Sequence, residues 1–185
     1  MKRNHFLITM VSSIPLFAFY KLRSNLTKVK DKGFKVKAGE TRFGESYSMK
    51  GVTLNVLDLK ISGTDTKGEM AVFEQTGLTP NGGPPLHVHP IQDEWFYIIE
   101  GEYLFQVGNE KYNMIAGDTI FLPRNVPHAF LQRTDTGRVL VSYLPAGKME
   151  AFFKATDQWT SPPTKEEIAK VFAEHDMEVV GPPLS

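Results

Sequence analysis

The chain has 185 residues, enough for one well-buried core and short for two, and its 41% hydrophobic and 23% charged fractions are ordinary for a globular domain. Lys+Arg and Asp+Glu balance at 21 each, which argues against an electrostatic mode of nucleic-acid binding, so no nucleic-acid partner is expected. The absence of cysteine excludes a disulfide framework, a thiolate metal site, a thiol nucleophile and an acylated lipoprotein cysteine.

Residues 1–20 open with Lys2 and Arg3 ahead of the uncharged run FLITMVSSIPLFAFY over 6–20. That is the charge-then-apolar order of a secretory signal peptide, and it is shorter than the ~20 apolar residues a spanning helix needs. The expectation is export, periplasmic or secreted, through an N-terminal signal; the alternatives are a cytoplasmic or a membrane-tethered protein. Lys21 and Arg23 blur the charge asymmetry, and no clean small-x-small cleavage site follows. Determining the mature N-terminus separates the cases: an intact Met1 in soluble cytoplasmic protein ends the export reading. Residues 21–40 read as a basic linker, in which Lys28, Lys30, Lys32, Lys35 and Lys37 form a solvated lead-in or a patch for an anionic membrane surface.

Residues 41–147 carry short strands punctuated by turn residues, the pattern of a barrel or sandwich. Val52, Leu54 and Val56 alternate on one face before Leu57, Leu59 and Ile61 take the other phase, which predicts a bulge near Val56 or a strand buried on both sides. A turn at 63–68 leads to a strand at 70–76, and a Gly- and Pro-rich loop at 77–85 delivers His87. A strand at 94–99, the pair Glu100-Gly101 and a return strand at 103–107 predict a two-residue hairpin. Turns at 108–109 and 117–118 follow, and 134–137 separates the His128 strand from one at 138–144. Residues 148–185 form a C-terminal helical extension: a short amphipathic piece at 149–155, then Thr164-Lys-Glu-Glu167, a capping box opening a helix to about His175, with the tail 178–184 packing back on the barrel.

Four residues bear the chemistry. His87 and His89 are two apart on a strand and aim into the same space, Glu94 lies past a short turn containing Pro90, and His128 lies on a later strand. A lone strand histidine is usually a core or surface residue. Three imidazoles and a carboxylate converging inside a barrel are instead a site for one divalent transition metal, with Fe, Mn, Ni, Cu, Co and Zn all acceptable to this donor set. Parity sets the surroundings: if Glu94 points inward so do Phe96 and Ile98, and across the predicted hairpin Ile98 faces Tyr103, Phe96 faces Phe105 and Val107 faces Glu94. Phe130 and Gln132 share the face of His128. The lumen is then aromatic and apolar, with Gln132 and the Tyr103 hydroxyl as its scarce polar groups, and no lysine or arginine points inward on these strands.

The same residues resemble the two signature motifs of the cupin superfamily. His87, His89, Glu94 and Gly101 fall on the first motif, with four residues between His89 and Glu94 and six between Glu94 and Gly101. Asn81 stands where the motif opens on Gly, followed by Gly82 and Gly83. Gly117, Pro123 and His128 fall on the second motif, while Asn125 replaces a Gly and Gln132 the closing Asn. Asn tolerates left-handed backbone, so Asn125 can hold the turn. The matched stretch is about a quarter of the chain.

The resemblance implies a mostly β fold, a jelly-roll β-barrel (double-stranded β-helix) with short C-terminal helices, in a single-barrel protein similar to bacterial quercetin 2,3-dioxygenase-like cupins. It implies His87, His89, Glu94 and His128 as metal ligands, and a small, aromatic or hydroxylated substrate together with O2. Glu94 would also act as general base, its proton affinity raised by a dry lumen. Phe96, Tyr103, Phe105, Phe130 and Gln132 are the candidate substrate wall. The alternatives are a metal-dependent isomerase or decarboxylase and a non-catalytic small-ligand binder. The resemblance also implies a homodimer, for which the outward Trp95, Tyr97 and Ile99 are candidate contacts.

Overall fold

The computed structural model describes residues 33–50 and 53–185; the segment 1–20, most of the linker and Val52 lie outside the described residues. Alternating burial builds the strands. In β2 (Asn55–Ile61), Asn55, Leu57 and Leu59 are buried while Val56, Asp58 and Lys60 are less so. Two antiparallel sheets result. One runs β1 (Tyr47–Met49), β2, β3 (Ala71–Gly77), β10 (Gly137–Leu144), β5 (Asp93–Glu100), β8 (Thr119–Leu122). The other runs β11 (Glu178–Pro183), β4 (Pro85–Val88), β9 (His128–Gln132), β6 (Tyr103–Val107), β7 (Glu110–Met114). They face each other as a jelly roll, but hydrogen bonds do not close them into one continuous barrel.

The core fills the space between the sheets. Leu57 and Phe73 from the first sheet and Phe105 from the second are fully buried. Phe96 and Phe105 meet edge-on across the gap at 5.1 Å, and Phe130 lies 5.5 Å from Phe105. Backbone must approach closely at one end: a methyl group at Gly77 would collide with the Gln132 amide, and one at Gly137 with the Tyr103 hydroxyl.

Two expectations are corrected. β5 and β6 are not a hairpin: β5 pairs with β10 and β8, whereas β6 pairs with β7 and β9. Gly101, at φ 87°, turns the chain from one sheet into the other. Parity selects a face and is silent about the neighbour, so the inward set survives while the partners change: Tyr103 faces Gln132, Phe105 faces Phe130 and Val107 faces His128. The bulge in β2 lies between Leu59 and Ile61, not near Val56, because Asn55 is the residue turned inward and Leu54 is 57% exposed.

The C-terminal extension comprises α1 (Met149–Asp157) and α2 (Lys165–Glu174). Thr164 caps α2, its hydroxyl accepting from Glu167 N at 3.2 Å while Glu167 Oε2 accepts from Thr164 N at 2.7 Å. α1 has no side-chain cap and is held by packing, with Met149, Phe152 and Phe153 buried and Phe153 edge-on to Phe73 at 4.8 Å. The tail does more than pack: it adds β11 to the open edge of β4. Among the described residues, no helix is long and apolar enough to cross a membrane.

Candidate metal centre

The two sheets meet chemically at four residues. Strand alternation turns His87 of β4 and His89 just beyond it to one face, β9 brings His128 into register opposite His87, and Glu94 reaches across from β5 in the other sheet. One ligand atom from each of the four lies within 4.8 Å of the others, and all four side chains are buried. Asn81 and Asn125, which stand where the resembled motifs carry glycine, adopt φ 60° and 63°, so the left-handed turns hold without it.

The hydrogen bonds preset the imidazoles. His87 Nδ1 lies 2.8 Å from Pro85 O, and His128 Nδ1 lies 3.0 Å from Val126 O. A carbonyl only accepts, so each Nδ1 carries a proton, and each Nε2 is the nitrogen that would offer its lone pair to a metal once free of any proton of its own. His89 Nδ1 sits 3.1 Å from Gln92 Oε1, and the orientation of that amide follows from its other end, where Nε2 donates to Pro145 O and Ala146 O at 2.8 and 2.9 Å. Gln92 therefore also accepts, and His89 Nε2 is turned inward. Glu94 Oε1 lies 2.7 Å from His89 Nε2 and 3.2 Å from His128 Nε2. Three aligned nitrogen donors and one carboxylate oxygen fit a divalent first-row transition ion. Gln92, which composition and spacing did not single out, holds one ligand in place. Gln92→Leu is expected to weaken metal affinity about 10–100-fold, as measured by chelator competition, because the His89 ring loses the side-chain amide oxygen that fixes its Nδ1.

Without metal, the charges settle among the ligands. Burial pushes the His87 pKa down to about 3, with the His128 and His89 charges adding to the effect. Burial also opposes charge on His89, but Glu94 and hydrogen bonds from Glu94 and Gln92 outweigh it and raise its pKa. Burial would raise the Glu94 pKa, yet the His89 and His128 charges and their hydrogen bonds hold it well below the usual range. In the metal-free site this overturns the expectation that a dry lumen raises the proton affinity of Glu94: desolvation is the largest single influence, but the charges and hydrogen bonds of His89 and His128 together outweigh it. The His89 proton occupies the place a metal would take. Metal binding at neutral pH is therefore expected to release about one proton, read as the buffer dependence of the calorimetric enthalpy. Zero release would show that His89 is already neutral.

Beside the ligands lies a cavity of about 30 Å³, room for about two waters. Phe96 and Phe130 line it, whereas Tyr103, Phe105 and Gln132 lie behind that wall. There the Tyr103 hydroxyl approaches Gln132 Oε1 at 3.5 Å, and burial, then Glu100, raises the Tyr103 pKa. The rest of the wall comes from residues the motifs do not mark: Gln75, Tyr143, Met49, and Met149, Phe152, Phe153, Phe172 and Met177 of the C-terminal extension. The Phe172 ring stands edge-on to His87 at 5.3 Å. Tyr143 is the register partner of Glu94, and burial together with the Glu94 charge raises its pKa well above the ordinary value. Period-2 parity along β10 from Val139 and Val141 would have placed Tyr143 inside. Gln75 Nε2 is sealed from solvent and has no hydrogen-bond partner among the described residues, a deficit that costs about 1–3 kcal/mol.

Residues 75–143 match a family model described as a cupin domain. A 65-residue stretch is 32% identical to quercetin 2,3-dioxygenase of Bacillus subtilis, covering 35% of this chain and 19% of that protein. A 43-residue stretch is 44% identical to an uncharacterized protein of Methanocaldococcus jannaschii, covering 23% of this chain and 34% of that one. The chain thus spans about a third or less of the length of these curated relatives. Among solved structures, a predicted oxalate decarboxylase of Thermotoga maritima superposes with TM-score 0.52 at 20% identity, over 60% of this chain and 99% of that one. An RmlC-like cupin from Shewanella frigidimarina superposes with TM-score 0.50 at 20% identity, over 60% and 94%. At such identities the likeness is one of fold.

Proposed function

With residues 75–143 forming a cupin domain, we propose that this chain is a metal-dependent dioxygenase acting on a small hydroxylated, uncharged organic substrate. One observation carries the reading: the three imidazoles and Glu94 open onto a wall rich in aromatic and thioether side chains that, among the described residues, contains no lysine or arginine. A metal ion at the four residues would itself be the cation partner of one anionic group, but a substrate carrying a second charge, as a dicarboxylate or a sugar phosphate does, would meet no further cation among the described lining residues. A neutral phenol or enol needs none.

A bound redox-active ion would supply the Lewis acidity and electrons that O2 chemistry requires. The chain's own residues do the rest. Glu94, as the one carboxylate among the four, would balance part of the charge of the ion. Tyr143 stays protonated, so it can donate a hydrogen bond to a substrate oxygen. Phe96, Phe130 and Phe152 exclude water around the ring or chain of the substrate.

The test is elemental analysis of protein purified without chelators, followed by an oxygen-electrode screen over hydroxylated aromatics and small enols. Expected are uptake of one O2 per turnover and both atoms of labelled oxygen in the product. Anaerobic turnover would favour the isomerase or decarboxylase reading. The cramped cavity supports a second reading, a non-catalytic barrel that retains a small ligand; tight retention with no product would establish it. A homodimer belongs to the same proposal, through the outward face where Trp95 stacks on Tyr97 at 6.3 Å and Phe121 is 56% exposed. Sedimentation of wild type against Phe121→Lys tests it, and an unchanged monomer in both would dismiss it.

A further inference from the structure

We propose that Gln75 selects the substrate, its side-chain amide donating a hydrogen bond to an uncharged carbonyl oxygen of a molecule whose hydroxyl or enol oxygen lies at the four-residue centre. This rests on the metal reading above and deepens it.

Gln75 sits mid-strand in β3, between its register partners Leu57 of β2 and Val139 of β10, so both backbone edges are occupied and its side chain projects into the lumen. The residue is 4% exposed. Among the described residues, three buried side-chain atoms lack a hydrogen-bond partner: Thr53 Oγ1, Gln75 Nε2 and Arg138 Nε. Of these residues, Gln75 alone borders the cavity that holds His87, His89, Glu94 and His128. An apolar side chain of the same length would pack there without leaving a donor unpaired. A ligand with an acceptor at that point removes the deficit, which places the reward for binding on the ligand's chemistry.

The class follows from the wall. An amide N–H donates readily to a carbonyl oxygen, and with no lysine or arginine among the described lining residues, a second anionic group at Gln75, beyond the oxygen at the four-residue centre, would have no cation partner of its own. Once Phe152 and Phe172 move aside, the cavity therefore suits a compact apolar body carrying two oxygens, one an ionisable hydroxyl or enol and the other a carbonyl. Discrimination against an analogue lacking the carbonyl arises because that analogue leaves the donor orphaned.

The test uses Gln75→Met, close in shape and without the donor. Wild type and variant are loaded with cobalt(II), whose visible spectrum reports ligand entry. Each is titrated with 3-hydroxypyran-4-one, which carries hydroxyl and carbonyl on one ring, and with phenol, which carries the hydroxyl alone. Any chelating advantage of the pyranone is common to both proteins and cancels in the cycle. The preference of wild type for the pyranone is expected to shrink roughly tenfold in the variant. The metal-free variant is expected to melt roughly 2–4 °C higher than wild type, since an unsatisfied donor is removed. A preference unchanged within about twofold, or a lower Tm showing that Gln75 holds a structural partner, overturns the proposal. Wild type that takes up no cobalt overturns it together with the metal reading. Intact discrimination by Gln75 with no oxygen uptake by any substrate would sink the dioxygenase reading alone, and oxygen uptake with an unchanged preference would sink the Gln75 assignment alone.

Discussion

Replacing Glu94 with glutamine is expected to abolish stoichiometric metal binding and to destabilise the metal-free protein by about 1–3 kcal/mol where His89 is charged, because His89 loses its counter-charge and must give up its proton to stay buried. The pair stabilises the fold only where both members are charged. The Glu94 pKa is lowered on folding, so its share is present above the ordinary carboxylate range and lost as pH falls through the lowered value. The His89 pKa is raised, so its share is present below the ordinary imidazole value and lost as pH rises through the raised one. The penalty of Glu94→Gln is thus greatest between those limits and shrinks in alkali. His87 acts in the opposite sense to His89: with its pKa lowered to about 3, the unfolded chain binds a proton the folded chain refuses, and stability falls as pH drops from the ordinary imidazole range toward that value. Urea unfolding of both proteins across a pH series measures all of this. A Glu94→Gln penalty identical at about pH 6 and about pH 10 would mean that no charged pair exists.

Phe172→Ala is expected to have the second large effect, and on two quantities at once. Phe172 is 1% exposed, 5.0 Å from the Phe152 ring and 5.3 Å from His87, so truncation removes a whole ring from the closed end of the cavity. The loss should be about 3–5 kcal/mol, with a fall in Tm on the order of 10 °C. The cavity, about 30 Å³ in the folded protein, is too small for a single aromatic ring unless Phe152 and Phe172 move aside. Removing one of them should therefore speed entry of phenol on the order of tenfold, because more of the population is open. Stopped-flow spectra of the cobalt-loaded protein report that rate. An unchanged rate with the stability loss intact would make Phe172 a core residue and place the entrance elsewhere.

These two residues also mark what could be read from the sequence. Glu94 was visible because a metal site imposes short-range rules: His87 and His89 share a face through period-2 alternation, and the interval to Glu94 allows one turn. Asn125 was legible for a local reason too, since it holds a positive φ that few side chains tolerate, whereas the positive φ of Asn81 was not read from the sequence. The Thr164–Glu167 cap spans three residues and needs nothing beyond itself. Phe172 was visible only as one apolar position on an amphipathic helix.

Local pattern thus determined the four candidate ligands, the inward faces of the strands and the two helices. Tertiary structure alone decided that Gly101 sends the chain into the second sheet, that β11 pairs with the His87 strand, and that α1 and α2 close the lumen with Phe152 and Phe172. It alone oriented Gln92 toward His89 and left Gln75 Nε2 without a partner among the described residues. Alternation and capping are set by neighbours within a few residues. Sheet partnership and cavity closure depend on contacts such as that between Ser48 N and Asp157, 109 residues apart, whose energies arise only when distant surfaces are packed together.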